Sequence, residues 1–261
     1  MEVFRQTHGG GPGSLETMHG PVNRIATSRV DGWLTRLGRL LYPARCPICR
    51  EVADEASGLC TACAARLPWL GAACERCALP LMEMQLADGA CGHCLQRAPP
   101  LRFVQASFLY GFPLDRLLPR FKFHRDLACG RLLSQWMLPA CVAAPRPHAL
   151  LPVPLHATRL RERGYDQALE LARPLARALD LPLRADLVRM RATAAQSSLD
   201  AGARRRNLRG AFVVDARRPL PEHVALVDDV MTTGATLHAA ARALHRAGVA
   251  RVDAWVCARV P

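Results

Sequence analysis

Residues 224–236, Val-Ala-Leu-Val-Asp-Asp-Val-Met-Thr-Thr-Gly-Ala-Thr, decide the fold of this chain. An apolar run ends in two adjacent carboxylates, Asp228 and Asp229, and a hydroxyl-rich turn around Gly234 follows at once. Apolar residues then recur with the period of a helix, up to Gly248 as the expected stop. The stretch therefore predicts a buried parallel strand that enters a helix through a tight turn.

A turn of this kind forms a cradle for phosphate. Backbone N–H groups and the helix N-terminus point at one spot and favour an anion there. Gly234 can adopt the positive φ that a tight loop needs. The two carboxylates suit a ribose, because they can accept its 2′- and 3′-hydroxyls while the 5′-phosphate lies in the loop. The predicted loop residues are Thr232, Thr233, Gly234, Ala235 and Thr236.

The stretch resembles the motif by which type I phosphoribosyltransferases bind 5-phosphoribosyl-1-pyrophosphate (PRPP). The resemblance covers the apolar strand, the Asp-Asp pair, the Thr-Thr-Gly turn and the final Thr, which are all present here. The alternative is an ordinary strand–loop–helix with a capping threonine and a solvated acidic pair.

Cysteines form the second strong pattern. Four CxxC pairs lie within about fifty residues, and eight thiolates are the ligand set of two tetrahedral zinc sites. Sequential use of the pairs and a crossed use, first with third and second with fourth, both remain open. Redox pairs or disulfides are the competing interpretation. We expect His93 not to be a ligand, and Cys129, Cys141 and Cys257 to be buried, inert thiols. The predicted ligands are Cys46, Cys49, Cys60, Cys63, Cys74, Cys77, Cys91 and Cys94.

Composition agrees with a large core joined to a small metal-stabilised module. The chain has 261 residues and a formal net charge of +13, with Lys122 as its one lysine. No apolar run approaches the ~18 residues of a membrane span, and no secretory signal precedes the cysteines, so we expect a cytoplasmic protein. Residues 1–35 are expected to be a weakly ordered extension, with Met18 as an alternative start.

The basic residues cluster in predicted loops, where phosphates would lie. Such clusters fit a polyanionic partner, although solvated surface charge is the simpler interpretation. The three groups are Arg159, Arg161 and Arg163; Arg184, Arg189 and Arg191; and Arg204, Arg205, Arg206 and Arg209.

From residue 101 onward, strands alternate with helices. Strands are predicted near 101–110, 149–155, 211–214, 223–229 and 252–258. Helices are predicted near 113–123, 126–142 and 165–179, besides the one after Gly234. This order predicts an α/β fold with a parallel sheet flanked by helices, and ligands at the carboxyl ends of the strands.

Two further motifs strengthen the assignment. One is Pro152-Val153-Pro154-Leu155 followed by Arg163-Gly164-Tyr165-Asp166-Gln167. The other spans residues 189–212, from Arg-x-Arg-x-Thr to Gly-Ala-Phe. With the zinc pairs and the Asp-Asp loop, these motifs resemble the ComF/GntX family, in which a double zinc ribbon precedes a type I phosphoribosyltransferase-like domain. The domains would then be 1–35, 36–100 and 101–261. Family members usually carry Phe-Asn where this chain has Tyr165-Asp166.

The resemblance implies roles for particular residues. Asp228 and Asp229 would bind ribose directly or through Mg²⁺, and Asp228, Asp229 and Arg191 would be the catalytic residues if the protein is an enzyme. The segment containing Pro154 would hold pyrophosphate, and residues 189–210 would close over the site. Arg191, Gln196 and Arg205 would lie on the pyrophosphate side, and Arg163 would bind PRPP or phosphate. Arg204, Arg205, Arg206 and Arg209 would contact nucleic acid.

Three functions from different classes remain. The family is associated with natural transformation, which implies binding of PRPP or another phosphate ligand and of incoming single-stranded DNA, with the DNA-uptake machinery as a further partner. Tyr165, Phe121 and Phe123 could stack on bases, but are also typical core residues. The second function is phosphoribosyl transfer from PRPP to an unidentified acceptor. The third is a PRPP-sensing regulator without catalysis.

Overall fold

A four-stranded parallel sheet is the centre of the fold. The computed structural model describes residues 44–81, 89–190, 210–215 and 217–261. The sheet consists of β1 (Val104–Leu109), β2 (Ala149–Pro152), β5 (His223–Met231) and β6 (Arg251–Arg259), in the order β1-β6-β5-β2. A separate antiparallel pair is formed by β3 (Leu187–Arg189) and β4 (Phe212–Val214). The predicted parallel sheet is confirmed.

The described helices complete the α/β pattern. Two short ones begin inside CxxC pairs, directly after the first cysteine, and are α1 (Thr61–Ala64) and α2 (Gly92–Gln96). The others connect or flank the strands: α3 (Leu114–Phe123), α4 (Leu127–Ala143), α5 (Ala157–Arg163), α6 (Gln167–Ala178) and α7 (Ala235–Arg246). Gly248, with φ +96°, lies directly after the last residues of α7, as its sequence position predicts.

The sheet is buried on both faces, which is why its central strands are apolar without alternation. On one face, Val224 and Leu226 of β5 pack with Leu237 and Leu244 of α7. On the opposite face, the alternate β5 residues pack with α3, α4 and α6, where large buried side chains include Phe121, Leu133 and Leu171. The two hydrophobic clusters are therefore separated by the sheet.

Each cysteine-rich segment adds to one of these clusters. We call residues 44–67 the first ribbon and residues 72–81 with 89–97 the second ribbon. The first packs on the α3–α4 face, where Trp136 donates to the carbonyl of Ser57 at 2.7 Å. The second packs on the α7 face. Residues Pro43–Pro261 thus form one compact unit.

Both edges of the sheet are covered, which protects their backbone groups from pairing with other chains. Along β1, Leu70 N–H donates to Ser107 and Leu109 N–H donates to Pro68. At the other edge, the segment around Leu183 makes a single parallel bridge to Leu150 of β2. The segment that links the ribbons is therefore part of the sheet's edge.

The structure differs from the sequence prediction at three places. Strand β2 ends at Pro152 instead of Leu155, because the N–H of Leu155 donates to the side chain of Asp166 instead of continuing the ladder to β5. Helix α5 and the short strand β3 were not predicted. Among the described residues, no helix has both the length and the apolar composition required to span a bilayer.

Some predictions fall outside the described residues. They concern the extension 1–35, the alternative start at Met18, and the side chains of Arg191, Gln196, Arg204, Arg205, Arg206 and Arg209. The domain boundaries 35/36 and 100/101 stay predictions.

Candidate functional site

The loop between β5 and α7 lies at the carboxyl edge of the sheet. Gly234 is the N-cap of α7 and adopts φ +71°, in the left-handed region. Thr232 and Thr233 are exposed, and Thr236 is half-buried in the first helical turn. Gly234 has no side chain that could cap α7, and Thr233 Oγ1 accepts the N–H of Ala235 only at 3.4 Å. The first N–H groups of α7 therefore face the loop with the positive end of the helix dipole. This geometry is suited to hold a phosphate group.

The two carboxylates lie directly before this loop. Asp228 is half-buried and Asp229 is buried. Asp228 Oδ1 accepts the N–H of Asp229 at 2.8 Å, and Asp229 Oδ1 accepts the N–H of Val230 at 2.6 Å. Burial and the adjacent Asp229 charge raise the pKa of Asp228. The pair therefore carries unfavourable negative charge that a bound cation or a hydroxyl donor would relieve.

Lys122 faces these carboxylates, and the sequence analysis assigned it no role. Its Nζ lies 3.0 Å from Asp229 Oδ2, and its side chain is only 23% exposed. Burial acts to lower the pKa of Lys122, but the charges of Asp229 and Asp228 outweigh it and raise the pKa. A lone lysine in an otherwise arginine-based chain, within an apolar helical pattern, was the available sequence signal.

Arginines from two of the predicted basic groups lie near the pair. Arg163, at the end of α5, lies over the ring of Phe123 at 5.2 Å, and its positive charge acts to lower the pKa of Lys122. Arg189, at the end of β3, is close enough to Arg159 and Asp228 for its pKa to respond to both, although burial is the main cause of its lowering. The structure thus places Arg163 and Arg189 near the carboxylates, and their roles stay predictions.

The segment 152–155 lies beside the end of β5. Val153 N–H donates to the carbonyl of Val227 at 2.9 Å. Asp166 fixes the other end, because one carboxylate oxygen accepts Leu155 N–H at 3.0 Å and the other accepts Leu169 N–H at 3.1 Å. Asp166 thus ties the segment with Pro154 to the N-terminus of α6, which explains how an aspartate can replace the usual asparagine there.

The candidate stacking residues separate into two kinds. Phe121 is fully buried and packs against half-buried Tyr165, with ring centroids 5.8 Å apart. Phe123 is 65% exposed and lies next to Lys122 in the chain. Phe123 is therefore the exposed ring of the three, with Arg163 over one of its faces.

The eight cysteines of the CxxC pairs form two clusters. In each, all four sulfur atoms lie within 4.8 Å of one another, and the clusters are Cys46, Cys49, Cys60, Cys63 and Cys74, Cys77, Cys91, Cys94. Sequential pairing is confirmed and the crossed arrangement is wrong. All eight are free thiols, which contradicts the disulfide alternative. His93 belongs to neither cluster, as predicted.

The geometry of each cluster fits a zinc ion. Cys49 and Cys60 sulfurs are 3.5 Å apart, and Cys77 and Cys91 sulfurs are 3.7 Å apart. The edge of a tetrahedron with ~2.3 Å Zn–S bonds is about 3.8 Å. Backbone N–H donors overcome the effect of burial and lower the pKa of Cys46 to about 6, which favours the thiolate that binds metal. Two structural zinc sites are consistent with these donors.

The three isolated cysteines are buried, as expected. Burial raises the pKa values of Cys129 and Cys141 to about 12, and that of Cys257 well above its usual range. They are therefore inert thiols of the core.

Fold and site together define a protein with a double zinc ribbon and a phosphoribosyltransferase-type α/β domain. A double zinc ribbon domain model matches residues 37–95, and a phosphoribosyl transferase domain model matches residues 166–261. The chain belongs to the ComF/YhgH family of competence and DNA utilization proteins.

Individual relatives match most of their own length. The DNA utilization protein YhgH of Salmonella typhi is 36% identical over 231 residues, 84% of this chain and 99% of the relative. Competence protein F of Haemophilus influenzae is 36% identical over 82% of this chain and 96% of its own. Competence protein ComFC of Bacillus subtilis is 29% identical over 74% and 80%.

Proposed function

We propose that this protein binds PRPP, or another phosphoribosyl ligand, together with Mg²⁺ at the carboxyl end of β5, and that it handles imported single-stranded DNA in the cytoplasm. The observation that carries the proposal is the carboxylate pair, half-buried Asp228 and buried Asp229, directly before the N-terminus of α7. The names of the relatives, competence and DNA utilization proteins, support the DNA role.

Each part of the ligand has a matching group. The 5′-phosphate meets the N–H groups and hydroxyls of residues 232–236. The ribose hydroxyls donate to Asp228 and Asp229, and Mg²⁺ shares these carboxylates, because it prefers oxygen ligands. The pyrophosphate lies between the segment containing Pro154 and the basic side chains of Arg163 and Lys122. The side chains of Arg191, Gln196 and Arg205, in the segment predicted to close over the site, are proposed to contact the pyrophosphate as well.

Replacement of Asp228 by asparagine tests the ligand site. Asparagine keeps the oxygen that accepts Asp229 N–H, so the fold should survive, whereas the charge that binds Mg²⁺ and ribose is reduced. Thermal unfolding with and without PRPP plus Mg²⁺ should show stabilisation of the wild type and little in the variant. Asp186→Asn, at a carboxylate paired with Arg184, is the matched control. Equal ligand-induced stabilisation in Asp228→Asn and wild type would refute the site.

Replacement of Arg204, Arg205 and Arg206 by alanine tests the proposed DNA surface. Each lost phosphate contact should reduce the slope of log K against log salt by about 0.7 for single strands. The control variant replaces the exposed Arg217 and Arg218 by alanine, which removes positive charge from a different part of the chain. An unchanged slope for the triple variant would exclude these arginines from the DNA surface.

Lys122 favours phosphoribosyl transfer as a second candidate function. In such a reaction the acceptor nucleophile bonds to C1 of the ribose, and pyrophosphate leaves with the electrons of the broken C–O bond. Lys122 can stabilise that departing charge, and it supplies the lysine that the predicted closing loop lacks. A screen for pyrophosphate release from PRPP with candidate acceptors tests this reaction. Binding of PRPP without any pyrophosphate release would favour a sensing role instead.

A further inference from the structure

A cavity of about 690 Å³ lies between the second ribbon and α7. It is separate from the carboxylate pair, because neither Asp228 nor Asp229 lines it. It shares Thr233 and Ala235 with the phosphate loop, so the two sites are neighbours. Its volume is within the ~300–1,000 Å³ of ordinary ligand pockets.

The cavity is basic. Arg97, Arg242 and Arg259 line it together with His93 and His238, and none of the described residues that line it carries a carboxylate. A zinc ion held by four thiolates would carry two negative charges nearby. The three lining arginines outnumber those two negative charges, and Arg97 and Arg242 are exposed at the rim.

Arg259 gives the cavity a fixed wall. It is 94% buried, since only 6% of its surface is exposed. Its Nε donates to the carbonyl of Cys77 at 2.8 Å, and its Nη1 donates to the carbonyl of Met231 at 3.2 Å. These bonds connect the second ribbon to the end of β5, so both sides of the cavity are held at a set separation.

The remaining wall is apolar. Leu79, Pro99, Pro100 and Met231 contribute to it. PRPP has no apolar part that would pack against such a surface, whereas the flat face of a nucleobase would. Imidazole rings such as that of His238 can also stack on bases. A basic rim beside an apolar wall therefore fits a nucleotide better than a phosphorylated sugar.

We propose that this cavity binds one nucleotide, with its base against the apolar wall and its phosphate at Arg97 and Arg242. The proposal rests on the proposed DNA function, and it adds a defined binding site for the strand. A free nucleoside monophosphate has the same chemistry, so the test must distinguish a nucleotide within a strand from a free one.

The experiment compares two double variants of the full chain. Arg97→Gln/Arg242→Gln changes the rim, and Arg102→Gln/Arg246→Gln removes the same charge from exposed positions on neighbouring segments outside the cavity. Anisotropy of a labelled thymidine 20-mer measures strand binding at two salt concentrations. Thermal unfolding with dTMP measures binding of the free nucleotide, and unfolding with PRPP plus Mg²⁺ reports on the neighbouring site.

We expect the rim variant to bind the 20-mer at least about tenfold more weakly than the control variant, with a salt slope lower by up to about 1.4 for two phosphate contacts. Both variants should retain stabilisation by PRPP, which keeps failure of this proposal distinct from failure of the PRPP site. Loss of dTMP stabilisation in the rim variant would identify a free nucleotide as a ligand. Equal binding of both ligands by the two variants, or no binding of either by the wild type, would overturn the proposal.

Discussion

Replacement of Gly234 by alanine should separate the phosphate loop from the rest of the fold. Gly234 has φ +71°, and an added Cβ would lie 2.5 Å from Met231 Cε and 3.2 Å from His238 Nε2. The left-handed conformation costs a non-glycine residue about 1–2 kcal/mol. The methionine terminus can move away at small cost, so we expect a loss of about 1–2 kcal/mol in the free energy of unfolding.

The effect on ligand binding should be larger than the effect on stability. A shift of the loop misdirects N–H groups that would donate to phosphate, and hydrogen bonds to charged groups contribute about 1.5–3 kcal/mol each. Loss of one such bond raises Kd about 10- to 100-fold. At a PRPP concentration of about 100 times the wild-type Kd, stabilisation would fall from about 2.7 to about 0.4 kcal/mol in the 100-fold case.

Gly248→Ala is the matched control. Gly248 follows the other end of the same helix at φ +96°, and an added Cβ would have no atom of the described residues within 4 Å. It should lose comparable stability and keep the full PRPP-induced shift in differential scanning fluorimetry, with Kd from calorimetry. If Gly234→Ala keeps the same ligand-induced stabilisation as Gly248→Ala, the proposed role of the loop in phosphate binding is refuted.

Four further outcomes are expected. Elemental analysis should find about two zinc ions per chain, and Cys94→Ser should lower this to about one; a value near zero in the wild type would contradict both sites. Lys122→Met should raise the Kd for PRPP about 10- to 100-fold, as expected for one charged hydrogen bond, while Arg116→Met on the same helix should not. Asp166→Ala should lose about 2 kcal/mol of stability, from a helix cap and a second N–H acceptor, and an unchanged melting temperature would refute that role. Because the pKa of Asp228 is raised in the folded state, its contribution to stability falls as pH rises above its ordinary value of 3.8. In Mg²⁺-free buffer Asp228→Asn should therefore be more stable than wild type at pH 8, with a smaller difference at pH 5, and a reversed trend in the melting curves would contradict it.

Local patterns predicted the parts of the molecule that are contiguous in the chain. The strand β5, its carboxylates, the turn at Gly234 and the helix α7 form one continuous stretch, so period and turn chemistry were sufficient. The sulfur ligands were also predicted, because each CxxC pair is a local unit. Which pair joins which cluster depends on the path of the chain between them, and the structure was required to choose sequential pairing.

Contacts between distant segments were not predictable from the sequence. Lys122 lies in α3, which six described elements separate from β5, and nothing local indicates that its amine reaches Asp229. Asp166 looked like a mild departure from the family motif, whereas it holds two N–H groups from separate segments. The basic cavity was even harder to predict from the sequence, because its walls come from the second ribbon, α7 and the last strand.

The arrangement of the ribbons explains why a zinc module belongs with this α/β domain. A four-stranded sheet has two edges and two large apolar faces, and its flanking helices do not cover all of them. The first ribbon extends one hydrophobic cluster and the second ribbon extends the other, while the segment between them lines β1. Arg259 then joins the Cys77 carbonyl to the Met231 carbonyl directly before the phosphate loop. Metal binding in the second ribbon is therefore physically connected to the loop that we propose holds the ligand, so zinc loss there should weaken PRPP binding.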